Sequence, residues 1–141
     1  ITTDIIAGFC SETEEDHQAT IELMKNVKFD SAFMFQYSQR PNTKAARHFE
    51  DDVPLETKTR RLNEIIELQS AISLERNKDC IGKIYEVLIE GTSKRDSDQL
   101  FGRTLGNKVC VFSAPGYKAG DYAKVKVESC TSATLIATLI E

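Results

Sequence analysis

No apolar stretch in the 141 residues approaches the ~18–20 that a membrane span requires. The opening Ile1-Thr-Thr-Asp-Ile-Ile6 has no basic segment leading into an apolar one, so no secretory signal is visible. No methionine opens the chain, which points to a processed, cloned or truncated piece of something longer. Histidine is scarce. His17 and His48 are too isolated to be metal ligands, and His17, on an acidic helix face, reads as a surface residue. The four cysteines, Cys10, Cys80, Cys110 and Cys130, lie at least 20 residues apart, outside the close pairs that chelate zinc or iron–sulfur clusters. With an adequate core and no export signal, they read as free, inert thiols of a cytoplasmic chain. The acidic strings Glu12 to Asp16 and Glu50 to Asp52 lack the alternating acids, Gly turn and terminal Glu of a calcium loop. Helix capping or a solvated face accounts for them.

What is present is ordinary for a soluble globular chain: 40% hydrophobic residues, 28% charged and a net charge of -4. The length fits one average domain or two small ones, at roughly 100–200 residues per domain. Charge and texture both change near residue 79. Residues 1–79 carry 10 basic and 15 acidic side chains, whereas 80–141 carry 8 basic and 7 acidic. We therefore expect a domain over 1–78 and another over 79–141.

The first part reads as strand, helix, strand. Asp4 to Gly8 is a short apolar run that suits a buried strand. Ser11 or Thr13 can cap the helix that follows, and the acids after them suit the positive end of its dipole. Ala19, Leu23 and Val27, with Ile21 and Met24, form its apolar face, and Ser31 to Tyr37 reads as a second strand. Such a βαβ unit has a right-handed crossover and parallel strands, and it implies a larger α/β body to cover its sheet. Ser38 to Val53 is a long polar loop at the C-terminal edge of a strand, where open α/β sheets and barrels carry binding groups. Pro54 then suits a helix start, and Leu55 to about Arg76 is strongly helical, with Arg60, Arg61 and Glu64 on the solvated face.

After Asp79 the period becomes two. Lys83 to Glu90, Gln99 to Leu105, Lys108 to Phe112, Tyr122 to Glu128 and Thr134 to Ile140 are five candidate strands, punctuated by Gly91, Gly106-Asn107, Pro115-Gly116 and Gly120-Asp121. Five strands in so short a stretch favour a closed or nearly closed small barrel, because open edges are a liability. Lys94, Arg95, Arg103, Lys108, Lys118, Lys124 and Lys126 are interleaved with Phe101, Phe112, Tyr117 and Tyr122. Small barrels bind looped RNA by stacking bases on exposed aromatics and tracking phosphates with cations. The bland alternative is that Phe101 and Phe112 are core while the cations solubilise an outer face.

Three separated motifs carry a resemblance. Asp4-Ile-Ile-Ala-Gly-Phe-Cys-Ser-Glu-Thr-Glu-Glu-Asp16 and Tyr37-Ser-Gln-Arg-Pro-Asn-Thr-Lys-Ala-Ala46 resemble two loops of the radical-SAM methylthiotransferases. Glu90-Gly-Thr-Ser-Lys-Arg95, Leu100-Phe-Gly-Arg-Thr104, Asn107 and Cys130-Thr-Ser-Ala-Thr-Leu135 are similar to the TRAM module that ends those enzymes. Departures are Cys10-Ser11 for the family's Pro-Gly, His17 for an aromatic and Asn42 for Gly. Asn tolerates a left-handed turn, so the last exchange is compatible with the same backbone.

The resemblance implies the end of a partial TIM barrel followed by an all-β TRAM barrel, from a branch that methylthiolates isopentenyladenosine in tRNA. The parent enzyme would use S-adenosylmethionine and two 4Fe–4S clusters. The Cys-x-x-x-Cys-x-x-Cys motif that holds the radical-SAM cluster is not among these residues, so the segment itself is expected to be inactive, with no cofactor bound. Gly8, Phe9 and Glu12 are expected on the cofactor side, where a missing Cβ at Gly8 admits a ligand. Glu12 equally suits the helix dipole. Arg40 is expected to line the substrate pocket or to tie its loop to Glu50, Asp51 or Asp52. Lys94, Arg95, Phe101, Arg103, Asn107 and Lys108 are the expected contacts to the anticodon stem-loop of tRNA. The rival readings are the sister enzyme that modifies an aspartate of a ribosomal protein, with the barrel docking protein, and a stand-alone adaptor. Severed strand edges would favour a homodimer or a domain swap.

Overall fold

A computed structural model of the chain describes residues 1–93 and 98–140. The chain divides into two compact units, Ile1–Ser73 and Leu74–Glu141.

In the first unit, β1 (Thr2–Ala7) and β2 (Ser31–Gln36) pair in parallel, from Thr2 opposite Ser31 to Ala7 opposite Gln36, with α1 (Glu14–Val27) between them. This is the expected βαβ unit. Thr13, not Ser11, caps α1: its hydroxyl accepts from the Asp16 amide while the Asp16 carboxylate accepts from the Thr13 amide. Lys28 closes the helix in the left-handed region, at φ 53°. The stretch read as one long loop contains a short helix, α2 (Lys44–His48), capped by the Thr43 hydroxyl. Asn42 precedes it at φ 67°, the left-handed conformation expected where the related loops have Gly.

Helix α3 runs from Leu55 to Lys78, and its first 19 residues belong to this unit. Ala7, Ile21, Met24, Ile65 and Ile72 form the core, with Ile5, Met34, Leu62 and Leu68 packed on it. The helices cover one face of the sheet. Ile6, Phe33 and Phe35 on the other face are more than half exposed.

Two expectations fail here. His17 is fully buried, its Nε2 2.7 Å from a Glu64 carboxylate oxygen, so it is no surface residue. Arg61 is not on a solvated face: it is 4% exposed and donates to the Glu12 carboxylate at 2.8 Å. Both polar groups sit in the packed layer because the Glu64 and Glu12 carboxylates pair with them there.

In the second unit, β3 (Ile84–Thr92), β4 (Leu100–Thr104), β5 (Val109–Phe112), β7 (Leu135–Leu139) and β6 (Tyr122–Cys130) close a barrel in that order. All neighbours are antiparallel except β5 and β7, whose parallel pairing was not anticipated. Val87, Ile89, Cys110, Phe112, Ala123, Val125, Val127 and Leu135 fill the interior by strict alternation. Gly102 is required by close approach. A Cβ there would collide with the Leu88 carbonyl oxygen and the Val87 side chain. The last turn of α3 also belongs to this unit. Asn77 donates to the Thr131 carbonyl at 2.9 Å and the Ser132 carbonyl at 3.2 Å. No helix among the described residues is long and apolar enough to cross a membrane.

Candidate nucleic-acid interface and strand-end pocket

In the first unit the site lies at the C-terminal ends of β1 and β2. Gly8 follows β1 at φ +73° and its amide donates to the Glu12 carboxylate at 2.6 Å. What fills the space of its missing Cβ is the aliphatic stem of Lys58, not an open approach for a ligand. The same Glu12 carboxylate takes Arg61, whose guanidinium also donates to the Glu12 carbonyl at 2.9 Å. Glu12 therefore braces the turn that presents Phe9.

Phe9 stays 40% exposed and packs edge-on against Tyr37, with centroids 4.9 Å apart, and against Phe49 at 6.4 Å. Phe9, Phe35, Tyr37, Arg40 and Thr43 line a cavity of about 470 Å³. Among the described residues no carboxylate pairs with the Arg40 guanidinium, so the tie to the acidic cluster does not form. Those acids are used elsewhere. Asp51 takes the Lys58 ammonium at 2.5 Å, and Asp52 accepts from the Ser11 amide at 2.7 Å.

Lys58 and Arg61 were missed by sequence reasoning. They are three positions apart on α3, on the stripe that continues through Ile65, Leu68 and Ile72. A cation on an apolar stripe is the signal that would have found them.

In the second unit the outer barrel face carries the candidate interface. Phe101 and Arg103 project from β4 away from the interior, opposite in sense to Gly102 and Thr104. Phe101 is half-buried outside the core, its ring lying over Gly91, whereas Phe112 is core. Cross-strand register sets Arg103 beside Leu88, and Leu88 beside Tyr122, which is 63% exposed.

Arg103 Nε lies 3.1 Å from a Glu90 carboxylate oxygen, and its Nη1 donates to the Asn107 side-chain oxygen at 3.1 Å. Arg103 and Asn107 are thus brought together, Asn107 turning in the left-handed region at φ 63°. Lys108 is drawn elsewhere: its ammonium donates to the Asn77 side-chain oxygen at 2.9 Å. Lys94 and Arg95 lie outside the described residues. Lys124 and Lys126 alternate outward along β6 with Tyr122. Among the described residues no three His, Cys, Asp or Glu side chains gather in a way that could hold a metal ion.

Both parts of the chain are similar to known proteins. Residues 78–140 match the TRAM domain. Over 135 residues the chain is 57% identical to the tRNA-2-methylthio-N(6)-dimethylallyladenosine synthase of Bacteroides thetaiotaomicron, covering 96% of the chain and 30% of that relative. The synthase of the same name from Chlorobium phaeobacteroides is 57% identical over 98% of the chain and 31% of its own length. That of Porphyromonas gingivalis is 54% identical over the whole chain and 30% of its own length. The chain thus spans about 30% of the length of the tRNA-2-methylthio-N(6)-dimethylallyladenosine synthases it is similar to, and its residues 78–140 are a TRAM domain.

Proposed function

We propose that the chain is the C-terminal portion of a cytoplasmic tRNA methylthiotransferase, residues 1–78 being the end of its partial TIM barrel and 79–141 its RNA-recognising TRAM barrel. The observation that carries this reading is the outer barrel face, where Arg103, Asn107, Phe101 and Tyr122 stand beside outward lysines on a domain shared with tRNA-modifying relatives. Exposed rings offer stacking platforms to unpaired bases and the cations track phosphates, which suits the anticodon stem-loop. The relatives are named for tRNA, so a ribosomal-protein substrate is not favoured.

The residues present do not fit a 4Fe–4S cluster. Cys10, Cys80 and Cys110 are buried, and no ligand set converges among the described residues. The strand-end cavity fits S-adenosylmethionine, because its aromatic walls suit a purine ring and Arg40, which has no carboxylate partner among the described residues, suits a carboxylate. When bound, that group supplies the methyl and the radical chemistry of the parent enzyme. Phe9 would flank it, while Glu12 and Lys58 hold the Gly8 turn from behind.

The test is a titration of the chain with an anticodon stem-loop RNA at two salt concentrations. Binding should weaken steeply with salt, as counterion release requires. The Lys94, Arg95 and Arg103 triple alanine variant should bind more weakly still. No detectable binding at low salt, or no effect of the triple variant, overturns the proposal.

A further inference from the structure

We infer that Arg103 meets RNA with the flat face of its guanidinium rather than as a phosphate cation, and that Glu90 is the residue that positions it for this. The inference rests on the reading of the barrel as the RNA-recognising part.

A guanidinium grips a phosphate, or the edge of a guanine, with two parallel donors from one side of its fork. In Arg103 both such sides already have a prong engaged. Nε is held by the Glu90 carboxylate, at 3.1 and 3.3 Å to its two oxygens. Nη1 is held by Asn107, at 3.1 Å to the side-chain oxygen and 3.3 Å to the carbonyl oxygen. Among the described residues only Nη2 is left with its donors open. The charge is also balanced in place by Glu90. What the side chain still offers is its plane and single Nη2 contacts.

That plane is anchored in a row of exposed side chains. Arg103 on β4 is opposite Leu88 on β3, and Leu88 is opposite Tyr122 on β6. Adjacent strands lie about 4.8 Å apart, so the row forms a strip across three strands, with a planar group at each end. Arginine planes and tyrosine rings are the surfaces on which unpaired bases stack. Glu90 sits two residues beyond Leu88 on the same outer face, next to the irregularity between Ile89 and Gly91 that shifts the register and sets its carboxylate against Nε. The ligand class is therefore an unpaired nucleobase of an RNA loop, and phosphate tracking falls to Lys124 and Lys126.

The test measures affinity of the chain for a fluorescent RNA stem-loop over a salt series, for the wild type, for Arg103→Lys, Glu90→Gln and Lys124→Ala, and for the double variant Arg103→Ala, Glu90→Gln. All three positions are outward-facing, and circular dichroism checks that each variant is folded. The Arg103→Ala, Glu90→Gln double variant removes both charges of the pair together and is expected to weaken binding about 5- to 100-fold, the range of a lost stacking partner, with the salt slope unchanged. Arg103→Lys keeps the charge but not the plane and should not restore affinity. Glu90→Gln keeps an acceptor for Nε but frees the charge, so the slope should steepen by about 0.7. Lys124→Ala should flatten it by a similar amount. A flatter slope in the double variant, full affinity in Arg103→Lys, or no effect of Glu90→Gln on the slope overturns the inference while leaving RNA recognition standing. Absence of wild-type binding at every salt concentration overturns the RNA reading and this inference with it.

Discussion

At Gly102 the β4 backbone passes so close to β3 that a Cβ would press on the Leu88 carbonyl oxygen, which the strand pairing holds in place. At Gly8 a Cβ would press on the Cβ and Cγ of Lys58, a buried side chain pinned by Asp51, and the backbone there is left-handed. Gly102→Ala and Gly8→Ala are therefore each expected to destabilise their own unit by about 1–3 kcal/mol or more, as overpacking does. Denaturant midpoints of the two variants check this. The thiols, by contrast, differ. Burial pushes the Cys110 thiol up to about 12, so it stays protonated at neutral pH, whereas Cys130 is half-buried at the end of β6. A thiol-reactive probe should label Cys130 in the native chain and reach Cys110 only on unfolding. Prompt labelling of Cys110 would show that the barrel opens.

Between α1 and α3 the charges form a chain of pairs. Arg60 bridges Glu14 and Glu64, at 2.7 and 2.6 Å, and Glu64 also meets His17. The Arg60 guanidinium holds the Glu14 carboxyl down, from the ordinary 4.5 to about 2, and the His17 contact lowers Glu64. A carboxylate held low in the folded state binds fewer protons there than when unfolded, so stability rises with pH across that interval. The contribution is complete above 4.5 and is lost as pH falls toward 2. Acid titration by far-ultraviolet circular dichroism should show α-helix loss in this window, and Arg60→Ala should make the loss less dependent on pH. At the start of α1, Thr13→Ala removes the hydroxyl that accepts from the Asp16 amide and is expected to cost about 1 kcal/mol. The cap and the helix were legible, since capping and apolar spacing are local. The inward turn of His17 and Arg61 was not, because their partners Glu64 and Glu12 are 47 and 49 residues away in the chain.

The two compact units divide inside α3, after Ser73, and not at the change of texture near residue 79. The reason is Asn77, which is 5% exposed, donates to the Thr131 and Ser132 carbonyls and accepts from Lys108. Truncation at Leu74 should leave a fragment that unfolds in one cooperative transition. Truncation at Asp79 removes Asn77 with its hydrogen bonds to the Thr131 and Ser132 carbonyls, which costs about 0.5–1.5 kcal/mol for each bond. Asn77→Ala in the longer fragment should reproduce most of that loss, as read from its melting temperature. Strand pairing carries the same lesson. All five barrel strands were readable from alternation, since each buries one face. The parallel pairing of β5 with β7 was not, because register between distant strands leaves no trace in either strand alone.

The amino-acid order by itself determined the periodic elements, their caps and turns, down to Asn42 and Asn107 in the left-handed region, because those depend on neighbours within a few residues. It also carried the resemblance to the methylthiotransferases, through motifs quoted residue by residue. Only the tertiary structure decided which charges are spent internally. Glu12, Lys58, Arg61 and Lys108 are engaged by partners, Arg40 lines the strand-end cavity without a carboxylate partner among the described residues, and Arg103 is held by Glu90 and Asn107. The physical reason is that an ion pair forms where two distant segments meet, and the field at that meeting point is set by the fold and not by either segment.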